Sequence, residues 1–178
     1  MEQNHASSRR YRVPYLGHAG ILFIEGKTGL SEYFEYGRYG GPLGAVQKRT
    51  IPDVRMGKND RPSRASMEKT LGEISRLAGQ GGRVTGAYIE LPPGSFIKMR
   101  GYAMTRWKQN NNAHRVPYDL TSNSCLHFMK QTADAGGAQL PNVYLDTPTG
   151  YMLQIQLQRP DLEFRGPGTL TLEDVELQ

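Results

Sequence analysis

Thr121-Ser122-Asn123-Ser124-Cys125-Leu126-His127-Phe128-Met129 carries the only cysteine of the chain, at the point where a polar cluster passes into an amphipathic run. Asn123 and Ser124 are residue types that accept hydrogen bonds from the first free N–H groups of a helix. The spacing therefore predicts a helix from about Ser124 to Asp134. Cys125, Phe128, Met129 and Thr132, three and four positions apart, form its inward face, and Gly136-Gly137 supplies a left-handed stop. A thiol at such a helix start feels the partial positive charge of unpaired N–H groups, which favours thiolate and makes the sulfur nucleophilic near neutral pH. Function is expected to hang on Cys125.

A cysteine nucleophile needs a base and usually a third group that fixes the base in one tautomer. The chain has four histidines. His5 lies in the leading segment and His114 in a polar loop. His127 follows Cys125 by two residues, which turns it about 200° around the helix axis, onto another face. His18 opens an apolar run, Gly17-His18-Ala19-Gly20-Ile21-Leu22-Phe23-Ile24, whose glycines let another element approach closely. This is where a base should stand to meet a helix packed across a sheet, although a histidine at a strand end can also do no more than hydrogen-bond locally.

Ser31-Glu32-Tyr33-Phe34-Glu35-Tyr36-Gly37-Arg38-Tyr39 pairs with that run across the turn Glu25-Gly26-Lys27-Thr28-Gly29 as a β-hairpin. Glu35, an acid among aromatics, is the candidate to orient His18, because a charge there needs a partner. Two alternatives stay open: Tyr36 takes the role if the register is shifted by one, or Glu35 merely pairs with Arg38. Tyr15, Tyr36, Asn123 and Ser124, together with the Cys125 N–H, are candidates for lining the cleft or holding a developing oxyanion. Asn123 also reads as a plain helix cap.

Beyond the hairpin, a third strand is expected near Ala45 to Ile51, then a basic loop from Pro52 to Pro62. Ser63 caps a helix to about Ala78 that carries Met67, Leu71, Ile74 and Leu77. A strand follows from Arg83 to Leu91, and a helix capped by Ser95 presents Phe96, Met99, Ala103 and Trp107. After Leu140, Val143-Tyr144-Leu145 and Tyr151 to Leu157 alternate as half-buried strands do, and Gly166 to Gln178 adds at most one irregular strand. The expected fold class is α+β, an antiparallel sheet packed against helices. Residues 1–14 read as a mobile lead-in and 15–178 as a single domain.

Lysine and arginine number 22 against 17 acids, a net charge of +5 that suits anionic partners without choosing among them. A lone cysteine excludes an internal disulfide. No run approaches the roughly 20 apolar residues of a membrane span, so no stable membrane insertion is expected. Arg9-Arg10 is followed by Tyr11-Arg12-Val13-Pro14 rather than an apolar segment, so no export signal is expected. Phosphate loops, zinc-ligand cysteine pairs, His-Glu-x-x-His and nucleophile-elbow serines are missing, which argues against metals, cofactors and nucleotides. No nucleic-acid module accompanies the basic charge.

A histidine on the first strand, an acid on the second and a cysteine heading a late helix together resemble the circularly permuted papain-like (NlpC-like) cysteine hydrolases. Gly17-His18-Ala19-Gly20, Phe34-Glu35-Tyr36-Gly37-Arg38-Tyr39, Pro117-Tyr118-Asp119-Leu120 and Asn123-Ser124-Cys125 with Ala135-Gly136-Gly137 are similar to cysteine-hydrolase effectors that bacteria inject by type VI secretion. The resemblance implies Cys125 as nucleophile, His18 as base and Glu35 as its orienting group. It also implies amide hydrolysis in peptidoglycan, synthesis in the cytoplasm, and delivery by a secretion-apparatus carrier to the periplasm of target bacteria. A cognate immunity protein would then be a partner. The rival readings are a lipid acyltransferase or thioesterase of the same fold, which needs an apolar channel beside Cys125, and a non-enzymatic basic binding domain.

Overall fold

A strand that is buried along its whole length needs cover on both faces, and Ser31–Gly37 is such a strand. In the computed structural model, which describes residues 17–39, 41–57, 60–144 and 147–173, it is the middle of a three-stranded antiparallel sheet. Gly20–Ile24 (β1) and Ala45–Arg49 (β3) flank it as β2, in the order β1-β2-β3. The register pairs Gly20 with Glu35 and Ile24 with Ser31 on one side, and Glu35 with Gln47 on the other. Glu25 closes the hairpin by accepting from the Lys27 and Thr28 N–H groups and the Thr28 hydroxyl.

One face of this sheet sends Phe23, Phe34, Tyr36 and Val46 against Phe96, Met99 and Ala103 of a helix at Ser95–Lys108 and Phe128 of a helix at Cys125–Ala135. The other face joins Tyr33 to Met67, Leu71 and Ile74 of the helix Arg64–Ala78. Numbering helices in chain order, these are α1 (64–78), α2 (95–108) and α3 (125–135). A second antiparallel sheet is built from Val84–Ala87 (β4), Asp161–Phe164 (β5) and Thr171–Leu172 (β6), in that order. The mixed α+β class, with an antiparallel sheet packed on helices, is therefore as the sequence indicates. The supposed lead-in of residues 1–14 lies outside the described residues.

The segment after Leu140 departs from expectation. Tyr151 to Leu157 does not form a strand; Pro148–Gln156 is a helix, α4. The alternation of Tyr151, Leu153 and Ile155 is deceptive, since Tyr151 and Ile155 are buried four residues apart while Leu153 is 59% exposed. Proline at the first helical position and the Thr147 hydroxyl, which accepts from Gly150 N–H at 3.1 Å, start the helix. Val143 and Tyr144 form no strand, and Leu145 is outside the described residues. The residue before α2 is Gly94 in the left-handed region (φ 86°), not a Ser95 cap. Ser95 instead donates from its hydroxyl to the Gly136 carbonyl at 2.7 Å, tying α2 to the end of α3.

Candidate active site

α3 begins at Cys125, and the device that starts it differs in part from the expected one. Ser124 is the N-cap, and its N–H donates to His127 Nδ1 at 3.3 Å while its hydroxyl stands 2.9 Å from the same nitrogen. His127 has its pKa lowered by burial, consistent with a neutral ring that accepts a hydrogen bond. It serves the helix start and does not face the thiol as a base. Asn123 is not the cap. Its amide donates to the Val116 and Pro117 carbonyls and to the Tyr36 hydroxyl, and its oxygen accepts from Arg106, so it clamps the loop that leads into the helix.

Cys125 is 6% exposed and packs with Ala19, Leu126 and Met129. Its thiol stands beside His18, which precedes β1. Burial alone would raise the thiol pKa. The contact with His18, the Ala19 N–H pointed at the sulfur, the His18 charge and the Tyr118 hydroxyl outweigh it, and the net shift is downward. For His18 the signs mirror this. Burial lowers the imidazole pKa, but contacts with Cys125 and Glu35 push it up to about 9. Each contact favours the charged form of its partner.

Glu35, across the β1-β2 ladder, is 0% exposed. Its Oε2 stands 3.0 Å from His18 Nε2 as an ion-pair contact, without hydrogen-bond alignment. The Tyr39 hydroxyl lies 3.1 Å from the same nitrogen. With Nε2 so engaged, Nδ1 is the nitrogen left for the thiol. Glu35 does not pair with Arg38. Its other oxygen, Oε1, accepts from Arg49 Nε at 2.7 Å and lies 2.5 Å from Arg49 Nη2. Desolvation raises the Glu35 pKa, the His18 contact and the Arg49 hydrogen bond lower it, and the net direction is down.

Tyr36 does not take the orienting position. Its hydroxyl donates to the Leu43 carbonyl at 3.2 Å and its ring packs 5.4 Å from that of Tyr118. Tyr118 has no assigned role on sequence grounds, yet it stands beside the thiol. Its hydroxyl donates to Cys125 Sγ at 4.0 Å, and burial followed by the neighbouring thiolate pushes its pKa up to about 12. Tyr39 and Arg49 are likewise site residues that sequence reasoning misses. Tyr39 shares strand parity with Glu35, and Arg49 is the diagonal neighbour of Glu35 on β3 given the Glu35-to-Gln47 register. Tyr15 lies outside the described residues.

A His-Glu pair, a helix-start thiol and a tyrosine converging from four chain segments prompt comparison with known proteins. The family model described as type VI secretion system effector TseH-like matches residues 6–139. The chain belongs to the TseH-like family of type VI secretion system effectors. Its fold is similar to the crystal structure of the type VI secretion system effector TseH, with a TM-score of 0.82 and 32% sequence identity over 93% of each chain. A comparison with curated proteins gave no significant match. Among the described residues, no helix of this effector is long and apolar enough to cross a membrane, and no group of three His, Cys, Asp or Glu could hold a metal ion. A cavity of about 630 Å³ between β1 and β4, lined by residues such as Ile21, Phe23, Met129 and Met152, does not have Cys125 or His18 in its wall.

Proposed function

We propose that this effector is a cysteine amidase or endopeptidase that hydrolyses peptide bonds of bacterial peptidoglycan, in a single permuted papain-like (NlpC-like) unit over residues 15–178. Cys125 is the nucleophile, His18 the base and Glu35 the group that orients it. The observation that carries the reading is the convergence of Cys125 at the start of α3, His18 beside it and the buried Glu35 carboxylate 3.0 Å from the His18 ring, contacts that shift the thiol pKa down and the imidazole pKa up to about 9. Perturbed, mutually dependent titrations of this kind mark reacting groups.

In the reaction, the Cys125 thiolate attacks a peptide carbonyl and a tetrahedral oxyanion forms beside the Cys125 N–H and the Tyr118 hydroxyl. The His18 imidazolium gives its Nδ1 proton to the leaving amine, and a thioester remains on sulfur. Neutral His18 then takes a proton from water, the hydroxide adds to the thioester, and the acid product leaves as the thiolate returns. Glu35 stabilises the charged ring, and Arg49 keeps Glu35 ionised. No cofactor or metal enters. The family supports delivery by the secretion apparatus, and the periplasm of target cells, with a cognate immunity protein in the producer, completes the reading. The basic balance of the chain suits an anionic wall.

The test is incubation of purified wall fragments with wild type and Cys125→Ala, with products read by mass spectrometry. New peptide termini from wild type and none from a folded Cys125→Ala are expected. Intact fragments after wild-type treatment, or equal cleavage by both proteins, would overturn the reading.

A further inference from the structure

Four arginines around the sheet and its helices are held by acceptors within the protein. Arg49 is bound to Glu35, and Arg100 donates to Glu32. Arg106 serves Tyr102, Gln131 and Asn123. Arg115 folds onto the carbonyls of Gly44, Asn110 and Asn112. Arg38 differs. It is exposed, its guanidinium carbon lies 5.2 Å from the centroid of the Tyr118 ring, and among the described residues it has no carboxylate partner and no hydrogen-bond acceptor. Asp119, next to that ring, is committed elsewhere: its Oδ1 accepts from the N–H and hydroxyl groups of Thr121 and Ser122.

The hydroxyl of the same Tyr118 lies 4.0 Å from the Cys125 sulfur. One aromatic side chain therefore carries the thiol at its tip and an unspent guanidinium against its ring. A guanidinium laid on an aromatic face is preorganised, and its planar fork matches a carboxylate with two parallel hydrogen bonds. We propose that Arg38, seated on Tyr118, is an anion subsite that takes a free carboxylate of the substrate peptide close to the bond presented to Cys125. This deepens the hydrolase reading and rests on it for placing the substrate. The carboxylate would lie no more than about four extended residues from the thiol, at 3.3–3.6 Å per residue.

The subsite predicts a preference that turnover is not needed to see. Inactive Cys125→Ala is titrated calorimetrically with two wall stem peptides of one sequence, one bearing a free glutamyl carboxylate and the other the carboxamide. The carboxylate peptide is expected to bind about tenfold or more tightly, the range of a charge-assisted hydrogen bond. Adding Arg38→Gln should abolish that advantage while leaving carboxamide affinity unchanged, and Arg38→Lys should recover part of it. Equal affinity for the two peptides, no binding of either, or an equal loss for both on Arg38→Gln would overturn the subsite. Melting curves matching the parent exclude a folding defect. Carboxylate-selective binding without cleavage by the wild-type protein would instead overturn the hydrolase reading and leave Arg38 in place.

Discussion

Arg49 Nη2 lies 2.5 Å from Glu35 Oε1, on the carboxylate oxygen that does not face His18. The pair divides the labour of a fully buried acid: one oxygen is neutralised from β3, and the other is left to the imidazole. Removing Arg49 leaves a buried carboxylate with too little compensation. Because breaking a buried pair from one side strands the remaining charge, Arg49→Met is expected to destabilise the fold by about 3 kcal/mol, measured by urea unfolding. Arg49→Met combined with Glu35→Gln should recover part of that loss while activity stays low. An unchanged unfolding midpoint in Arg49→Met would remove Arg49 from this role.

The pH response follows from the two shifts. The His18 pKa is raised from 6.5 to about 9, so stability from its contacts is fully present below about pH 6.5 and is lost as pH rises through about 9. The Cys125 pKa is lowered, so its contribution is present above the unfolded thiol pKa of about 8.5 and is lost as pH falls through the folded value. Alkylation of Cys125 by iodoacetamide should therefore be faster than that of an ordinary thiol at the same pH. An NMR titration should place His18 near 9 in the wild type and move it back toward 6.5 in Cys125→Ala. An unshifted histidine in that variant would show that the thiolate is not its partner.

Tyr118→Phe keeps the ring beneath Arg38 and deletes only the hydroxyl at Cys125. Losing that contact should raise the thiol pKa, slow alkylation at pH 6 several-fold, and reduce turnover about 10²-fold with little change in KM, as for removal of one donor near a developing oxyanion. Alkylation and turnover equal to wild type would confine Tyr118 to packing.

Much of the candidate site is legible in the sequence because each part has a local cause. The cap-like run before Cys125 marks a helix start, the Gly17 to Gly20 segment marks a strand entrance, and Glu35 is conspicuous as an acid between aromatics. Arg49, Tyr39 and Tyr118 are not legible in the same way. Arg49 depends on the pairing of β3, Tyr39 on the chain just past the end of β2, and Tyr118 on a loop clamped by Asn123. α4 is lost for a different reason: Tyr151, Leu153 and Ile155 fit a strand period as well as a helix period over so short a stretch. Only the burial of Tyr151 and Ile155, with Leu153 in solvent, separates the two.

Gly29 offers a test of how the hairpin that carries Glu35 is held. Its φ is 75°, a region that side chains disfavour, and a Cβ there would stand 1.8 Å from the Val54 carbonyl oxygen. That segment cannot simply give way, since the Val54 N–H donates to the Gly29 carbonyl at 3.0 Å and to the Ser31 hydroxyl at 3.1 Å. Strain and collision act together, so Gly29→Ala is expected to lower stability by about 3 kcal/mol or more in urea unfolding. Gly26, three residues earlier in the same turn, would carry a methyl group with nothing within 4 Å of it, and Gly26→Ala should stay within about 0.5 kcal/mol of wild type. Because β2 leaves this turn and carries Glu35 to His18, the Gly29 variant should also show the His18 titration drifting from about 9 toward 6.5 in whatever fraction remains folded. Equal stability of the two variants would mean that the turn, and not the packing of Val54 against it, sets the hairpin.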